Sequence, residues 1–155
     1  MPVGDQRSIA SWLRLRNRRG RLERVLTAAR LPPPIADIIS EIMWSVELEP
    51  EVEEWLDTLS TIEFATVLPH IERLADRGSA LRMPASRPLG DGLFELRFDM
   101  SNAAWRIPFF FVPERRIVLL TVFRKQRMNE RQEITRARAA MTRCIAEAHT
   151  AEEDD

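Results

Sequence analysis

The sequence predicts an α+β domain: a small antiparallel sheet of about four strands with helices packed on one face, preceded by an N-terminal extension. Three observations carry this. Like elements come in runs (a strand, two helices, a group of strands, a helix) instead of alternating. The stretch LFELRFD at 93–99 switches between apolar and polar residues, as a half-buried strand does. A length of 155 residues with 45% hydrophobic content supplies the core of one domain, with length left over at an end.

Taken in order, residues 1–42 read as an extension, either poorly ordered or lying ahead of a native start at Met43. Within it SWLRLRNRRGRLERVLTAAR is Arg-rich and only loosely amphipathic. A solvated segment is the expectation, with a basic RNA-binding arm as the competing reading. Pro32, Pro33 and Pro34 stop any helix. IADIISEI at 35–42 then reads as a short helix. WSVEL at 44–48 alternates as a strand. In PEVEEWLDTL, Pro50 suits a first helical turn, the early glutamates face its positive end, and Val52, Trp55, Leu56 and Leu59 fall at helical spacing. Ser60 or Thr61 caps the next helix, which runs through Ile62, Val67, Leu68, Ile71 and Leu74 and ends at Gly78. Pro69 inside it predicts a kink or break. Residues 79–92 read as loop. LFELRFD puts Phe94, Leu96 and Phe98 on one face and Leu93, Glu95, Arg97 and Asp99 on the other. SNAAWRIPFFFV is a second strand in which Pro108 predicts an edge or a bulge. A tight Pro-Glu-Arg-Arg turn leads into a third, with Ile117–Phe123 apolar enough for a central position. NERQEITRARAAMTRCIAEAH is a final helix with Asn129 as cap and Ile134, Ala137, Met141 and Ile145 as its inner stripe.

Net charge is −1 and names no partner, but its distribution is uneven. Residues 44–85 hold 3 arginines against 9 acids, 86–143 hold 12 basic against 6 acidic residues, and the last twelve hold five acids and no base. A basic region between acidic ones suits a local anionic ligand better than general coating of a polyanion. Cys144 is the lone cysteine, which excludes a disulfide framework and a thiolate metal cluster and fits a reducing cytoplasm. It reads as a small core residue. No apolar run approaches a membrane span, and the chain opens without an apolar signal core. His70 and His149 are far apart and read as surface residues. The chain contains no phosphate loop, dinucleotide fingerprint or nucleophile elbow, and no tyrosine.

What remains is a set of cations at strand ends. Arg97 closes one strand and Arg106 opens the next; Arg124, Lys125 and Arg127 follow the last. In an antiparallel meander, strand ends and strand starts are neighbours, so Arg97 and Arg106 come close and Arg106 and Lys125 converge. Such a rim makes a phosphate site by geometry. Solvated arginines in an Arg-rich chain are the plainer explanation. Lys125 is the only lysine among 23 basic residues.

The run ELRFDMSNAAWRIPFFFVPERRIVLLTVFRKQRMNERQEITRAR resembles the RelE/HigB toxin superfamily, especially its HigB-like, phage-related branch. The similar features are ELR, an Arg-Ile-hydrophobic strand, the Pro-Glu-Arg-Arg turn, IVLLTVF followed by Phe-Arg-Lys, and a helix opening Asn-Glu-Arg-Gln-Glu-Ile. Upstream, MWSVELEPEVEEWLDTLS is similar to the family's first strand and helix. The resemblance covers residues 43–148, leaving 149–155 as an acidic tail. It implies the toxin of a type II toxin–antitoxin system: a cytoplasmic endoribonuclease that cleaves mRNA on the ribosome, inhibits translation, and is held inactive by a cognate antitoxin, of helix-turn-helix type. It implies no metal and no cofactor. The RNA's 2′-hydroxyl attacks the adjacent phosphate, which is also why RNA and not DNA is cut. By position, Arg97 and Arg106 resemble the arginines that neutralise the phosphate. Lys125 resembles the basic residue after the last strand, able to donate a proton where guanidinium cannot. Arg87, Arg124 and Arg127 are the accompanying RNA-binding cations. Glu95 is either the general base or a carboxylate steering Arg97. The absence of tyrosine departs from the family pattern and keeps open a catalytically inactive member that binds antitoxin or RNA. Trp105 and Phe123 are core residues before they are stacking platforms.

Overall fold

The structure, a computed structural model, describes residues 13–17, 22–26 and 43–153. The expected helix over 35–42 lies outside the described residues. Strands β1 (Leu13–Asn17) and β2 (Leu22–Leu26) are followed by β3 (Ser45–Leu48) and helices α1 (Pro50–Thr58) and α2 (Thr61–Arg77). Then come β4 (Ser86–Gly90), β5 (Leu93–Met100), β6 (Ala103–Val112), β7 (Arg116–Leu119), β8 (Phe123–Arg124) and α3 (Glu130–Glu153). The sheet order is β2-β1-β3-β7-β6-β5-β4, with β8 also on β6.

The α+β class holds, with three differences in the sheet and one in the helices. The sheet is mixed, because β3 pairs in parallel with both β1 and β7. A hairpin of β1 and β2 extends it, where the sequence predicts no strand. The stretch 79–92, read as loop, contains edge strand β4, whose Arg87 pairs with Glu95 and Pro88 with Phe94. Its proline and glycine hide it from a strand pattern, and both are tolerated at an edge.

Helices cover both faces, not one. α1 and α2 bury Val52, Leu56, Phe64, Val67, Leu68, Ile71 and Leu74 against Val46, Leu96, Phe98, Ile107, Phe109, Ile117 and Leu119. On the opposite face α3 buries Ala137 and Ala140 against Leu93, Phe110, Val118 and Leu120. The inner stripe of α3 is Ile134, Ala137, Ala140, Met141 and Cys144, while Ile145 is exposed. Ile62 of α2 is likewise exposed. The helix runs past His149 to Glu153, further than the sequence predicts.

Local chemistry explains the boundaries. Pro50 opens α1, with Glu51 and Glu53 in its first turn. Ser60 and Glu63 form a reciprocal capping box for α2, with bonds of 3.1 and 3.0 Å. Pro69 does not break α2, which continues to Arg77, and the proline ring lies on the exposed side. Ser101 and Asn102, with φ of 50° and 59°, form the two-residue turn between β5 and β6.

Pro108 marks a bulge. Phe109 pairs with Leu119, whereas Arg106 pairs with Phe123, so three steps along β6 oppose four along the other strand. The expected single strand over 117–123 is therefore split. Pro108 has no N–H to give there, and its carbonyl accepts from Leu120 N at 2.9 Å.

Gly78 ends α2 at φ 51°, ψ −125°, and a Cβ there would overlap the Trp44 indole, which packs on Phe111 at 5.1 Å. Gly78→Ala is expected to lower unfolding free energy by about 1–3 kcal/mol in urea titration, while Ser79→Ala stays within about 0.5 kcal/mol.

Candidate functional site

The alternation of β5 and the register of its neighbours decide which side chains meet. Arg97 pairs with Arg106, and Glu95 stands between Arg87 and Pro108. Paired residues share a face, so Arg87, Glu95, Arg97 and Arg106 all lie on the face that α3 covers. α3 reaches over only one end of that face, above Leu93, Phe110 and Val118. The charged rows lie beyond its apolar stripe.

Glu95 is the centre. Its carboxylate is fully enclosed, and Oε1 has three guanidinium nitrogens around it: Arg87 Nη1 at 3.8 Å, Arg106 Nε at 3.8 Å and Arg97 Nε at 3.9 Å. These are ion-pair distances and not hydrogen bonds. Both carboxylate oxygens, and the Nε of Arg97 and of Arg106, are buried without a hydrogen-bond partner in the protein. Arg106 is also buried; its Nη1 donates to Trp105 O at 2.8 Å. Arg97 Nη1 points at Met83 Sδ, 3.4 Å away. Arg87 Nη1 also faces Glu130 Oε1 at 3.4 Å, at the start of α3.

Burial pushes the Glu95 carboxyl up, against the pull of Arg106, Arg87 and Arg97. Burial, followed by the like charge of Arg97, pulls the Arg106 guanidinium down from its ordinary value. The set is therefore held by attraction to one carboxylate while its members repel one another, and added negative charge is favoured beside it.

The structure places the remaining predicted cations at different distances from this set. Lys125 N donates to Ala104 O at 2.7 Å, continuing the β6–β8 ladder by one residue. That register puts exposed Lys125 on the same face as Arg106, one row further along. Arg124 pairs with Trp105 and so belongs to the opposite face, and exposed Arg127 lies in the turn before α3. Neither joins the cluster. Asn129 does not cap α3 with its side chain. It accepts from Gln126 N at 2.9 Å and donates to Arg124 O at 3.1 Å, fixing the turn that carries Lys125 and Arg127. Trp105 packs on Trp55 at 5.3 Å and Phe123 is buried, so both are core residues.

β4 stops pairing with β5 at Leu96, and Arg97 N donates to Ala85 O at 2.9 Å. Past that point a groove of about 460 Å³ opens along the edge of β5 toward α2. Arg97, Arg106 and Asp99 line it from the sheet, and His70 and Arg73 from the helix. His70 stacks on Phe98 at 5.3 Å and 26°. Burial, then Arg73, lowers the His70 imidazole, with Asp99 opposing. From sequence His70 reads as a surface residue, because no local motif joins α2 to a strand that ends 30 positions later at Met100. Among the described residues, no group of three or more His, Cys, Asp or Glu side chains is arranged to hold a metal ion, and no helix is long and apolar enough to cross a membrane.

The family model described as phage derived protein Gp49-like (DUF891) matches residues 54–142, more than half of the chain, and the chain belongs to that family. It is a toxin family of type II toxin–antitoxin systems, within the RelE/HigB-like toxin superfamily, and such a toxin has an antitoxin partner. No curated protein and no solved structure matches the chain.

The enclosed carboxylate has a signature in stability. A carboxyl held above its unfolded value binds its proton more tightly in the folded state, so the fold loses stability as pH rises through that interval. The unfolding free energy of the wild type minus that of Glu95→Gln is expected to fall as pH rises from about 4 toward neutrality. Urea titrations at stepped pH check this; a difference that grows with pH reverses the sign.

Proposed function

With the Gp49-like toxin family as premise, we propose that the protein is a HigB-type toxin. In this reading it is an endoribonuclease that cuts mRNA on the ribosome in the cytoplasm, restrained by an antitoxin of helix-turn-helix type. The observation that carries the reading is the convergence of Arg87, Arg97 and Arg106 on one enclosed carboxylate, beside a groove on a sheet edge. Fixed guanidiniums at such a place suit a phosphodiester whose charge grows during reaction.

The nucleophile is the RNA's own 2′-hydroxyl, so the enzyme supplies position and charge. Arg97 and Arg106 hold the scissile phosphate and stabilise its pentacoordinate state. Lys125, one row along and exposed, is the cation that protonates the departing 5′-oxygen. Glu95 is enclosed and cannot touch the substrate, so its role is to position the guanidiniums, not to act as base. Arg87 is half open and contacts the flanking backbone; Arg124 and Arg127 meet RNA further out. The inactive, binding-only reading draws on the absence of tyrosine, a departure from the pattern that the family resemblance implies.

Induced expression separates the two. Wild-type protein is expected to stop growth and to create new mRNA 5′ ends in primer extension. Arg97→Ala and Arg106→Ala are expected to lower cleavage by about 10²–10³-fold, and Lys125→Ala by at least about tenfold. Growth and transcripts unchanged by the wild type would leave only the binding role.

A further inference from the structure

We propose that His70 is the general base of this reaction, an assignment that rests on the nuclease reading above. The 2′-hydroxyl must lose a proton as it attacks, and the cluster itself offers no acceptor. Glu95 is enclosed, and guanidinium does not deprotonate. Of the side chains lining the groove with Arg97 and Arg106, the two that accept protons are His70 and Asp99. Asp99 is exposed and projects from a strand edge. His70 is half-buried and oriented by its stack on Phe98. Its backbone is fixed as well: the next residue, Ile71, is fully buried in the core, and the capping box anchors the start of α2. A groove of about 460 Å³ falls within the usual range for binding a small organic group, roughly 300–1,000 Å³.

Charge around the ring favours the same assignment. Burial, then Arg73 on α2, disfavours imidazolium in the free protein, and Asp99 opposes them. The shift favours the neutral imidazole, the form that has a ring nitrogen able to accept a proton. A phosphate bound in the same groove adds negative charge near the ring, and the proton is then accepted more readily. The step balances. The 2′-O–H proton passes to the unprotonated ring nitrogen of His70, and the 2′-oxygen forms a bond to phosphorus. The P–O5′ bond breaks, giving a 2′,3′-cyclic phosphate and, with a proton from Lys125, a 5′-hydroxyl.

The test uses the full-length protein and ribosomes programmed with mRNA, in single turnover between about pH 5 and 9. Wild type is expected to lose rate on the acid side as His70 protonates. His70→Gln, and His70→Phe, which keeps a ring on Phe98, are expected to lose that acid limb and about 10²–10⁴-fold in rate. Added imidazole is expected to restore part of the rate to His70→Ala. Variants that keep the wild-type limb, whether or not the rate falls, overturn the assignment while leaving the nuclease reading intact. A wild type that cuts no better than Arg106→Ala overturns the nuclease reading and the assignment with it.

Discussion

The site depends on one enclosed carboxylate. Three guanidiniums do not converge on a protein surface unaided, since each repels the next and each prefers water. Glu95 overcomes this by sitting at the middle strand of three, where register delivers Arg87 from one side and Arg106 from the other, while Arg97 follows two residues along the same strand. The arrangement is unsymmetrical in energy. Burial disfavours the charged carboxylate, and three cations restore it only in part. The result is a compact array whose own counter-charge cannot be displaced, because it lies beneath the arginines and not beside them.

Keeping such an array open to a ligand requires that the covering helix stop short. α3 is held on the other end of the face by contacts that leave little freedom. Arg138 donates to Leu89 O at 2.6 Å and Gly90 O at 3.1 Å, gripping the end of β4. Arg136 bonds Glu51 of α1, whose second oxygen accepts from Val122 N at 2.8 Å in the bulged segment. The bulge opposite Pro108 thus has a structural partner. It shifts β8 by one residue, which selects Lys125, not Arg124, for the face of the arginines. A regular strand would have turned the lysine away.

This explains which parts were readable from sequence. Period-two alternation in LFELRFD put Glu95 and Arg97 on one face, and an antiparallel meander, in which the end of one strand lies beside the start of the next, brought Arg106 close to Arg97. Both inferences need only neighbouring residues. The coverage of that face by α3 did not follow, since nothing in the helix says which side of a sheet it will choose. Nor did β4, whose Pro88 and Gly90 break the strand pattern. The fate of Arg124 turned on a one-residue bulge that sequence alone marks only as a proline. His70 was out of reach for a different reason: its neighbours come from an edge that exists only because β4 ends early.

The lone lysine can now be placed. Burial draws charge away from basic groups, and Arg106 already lies below its ordinary value inside the cluster. An amine at that depth, ringed by two further cations, would shed its proton and leave Glu95 undercompensated. Arginine is therefore required where cations are buried and charge must persist. Lysine fits where the strand emerges into solvent, and Lys125 is exposed at that point. A permanent, enclosed charge array thus stands beside an amine at its exposed rim, and the proposed reaction assigns anion binding to the first and proton donation to the second.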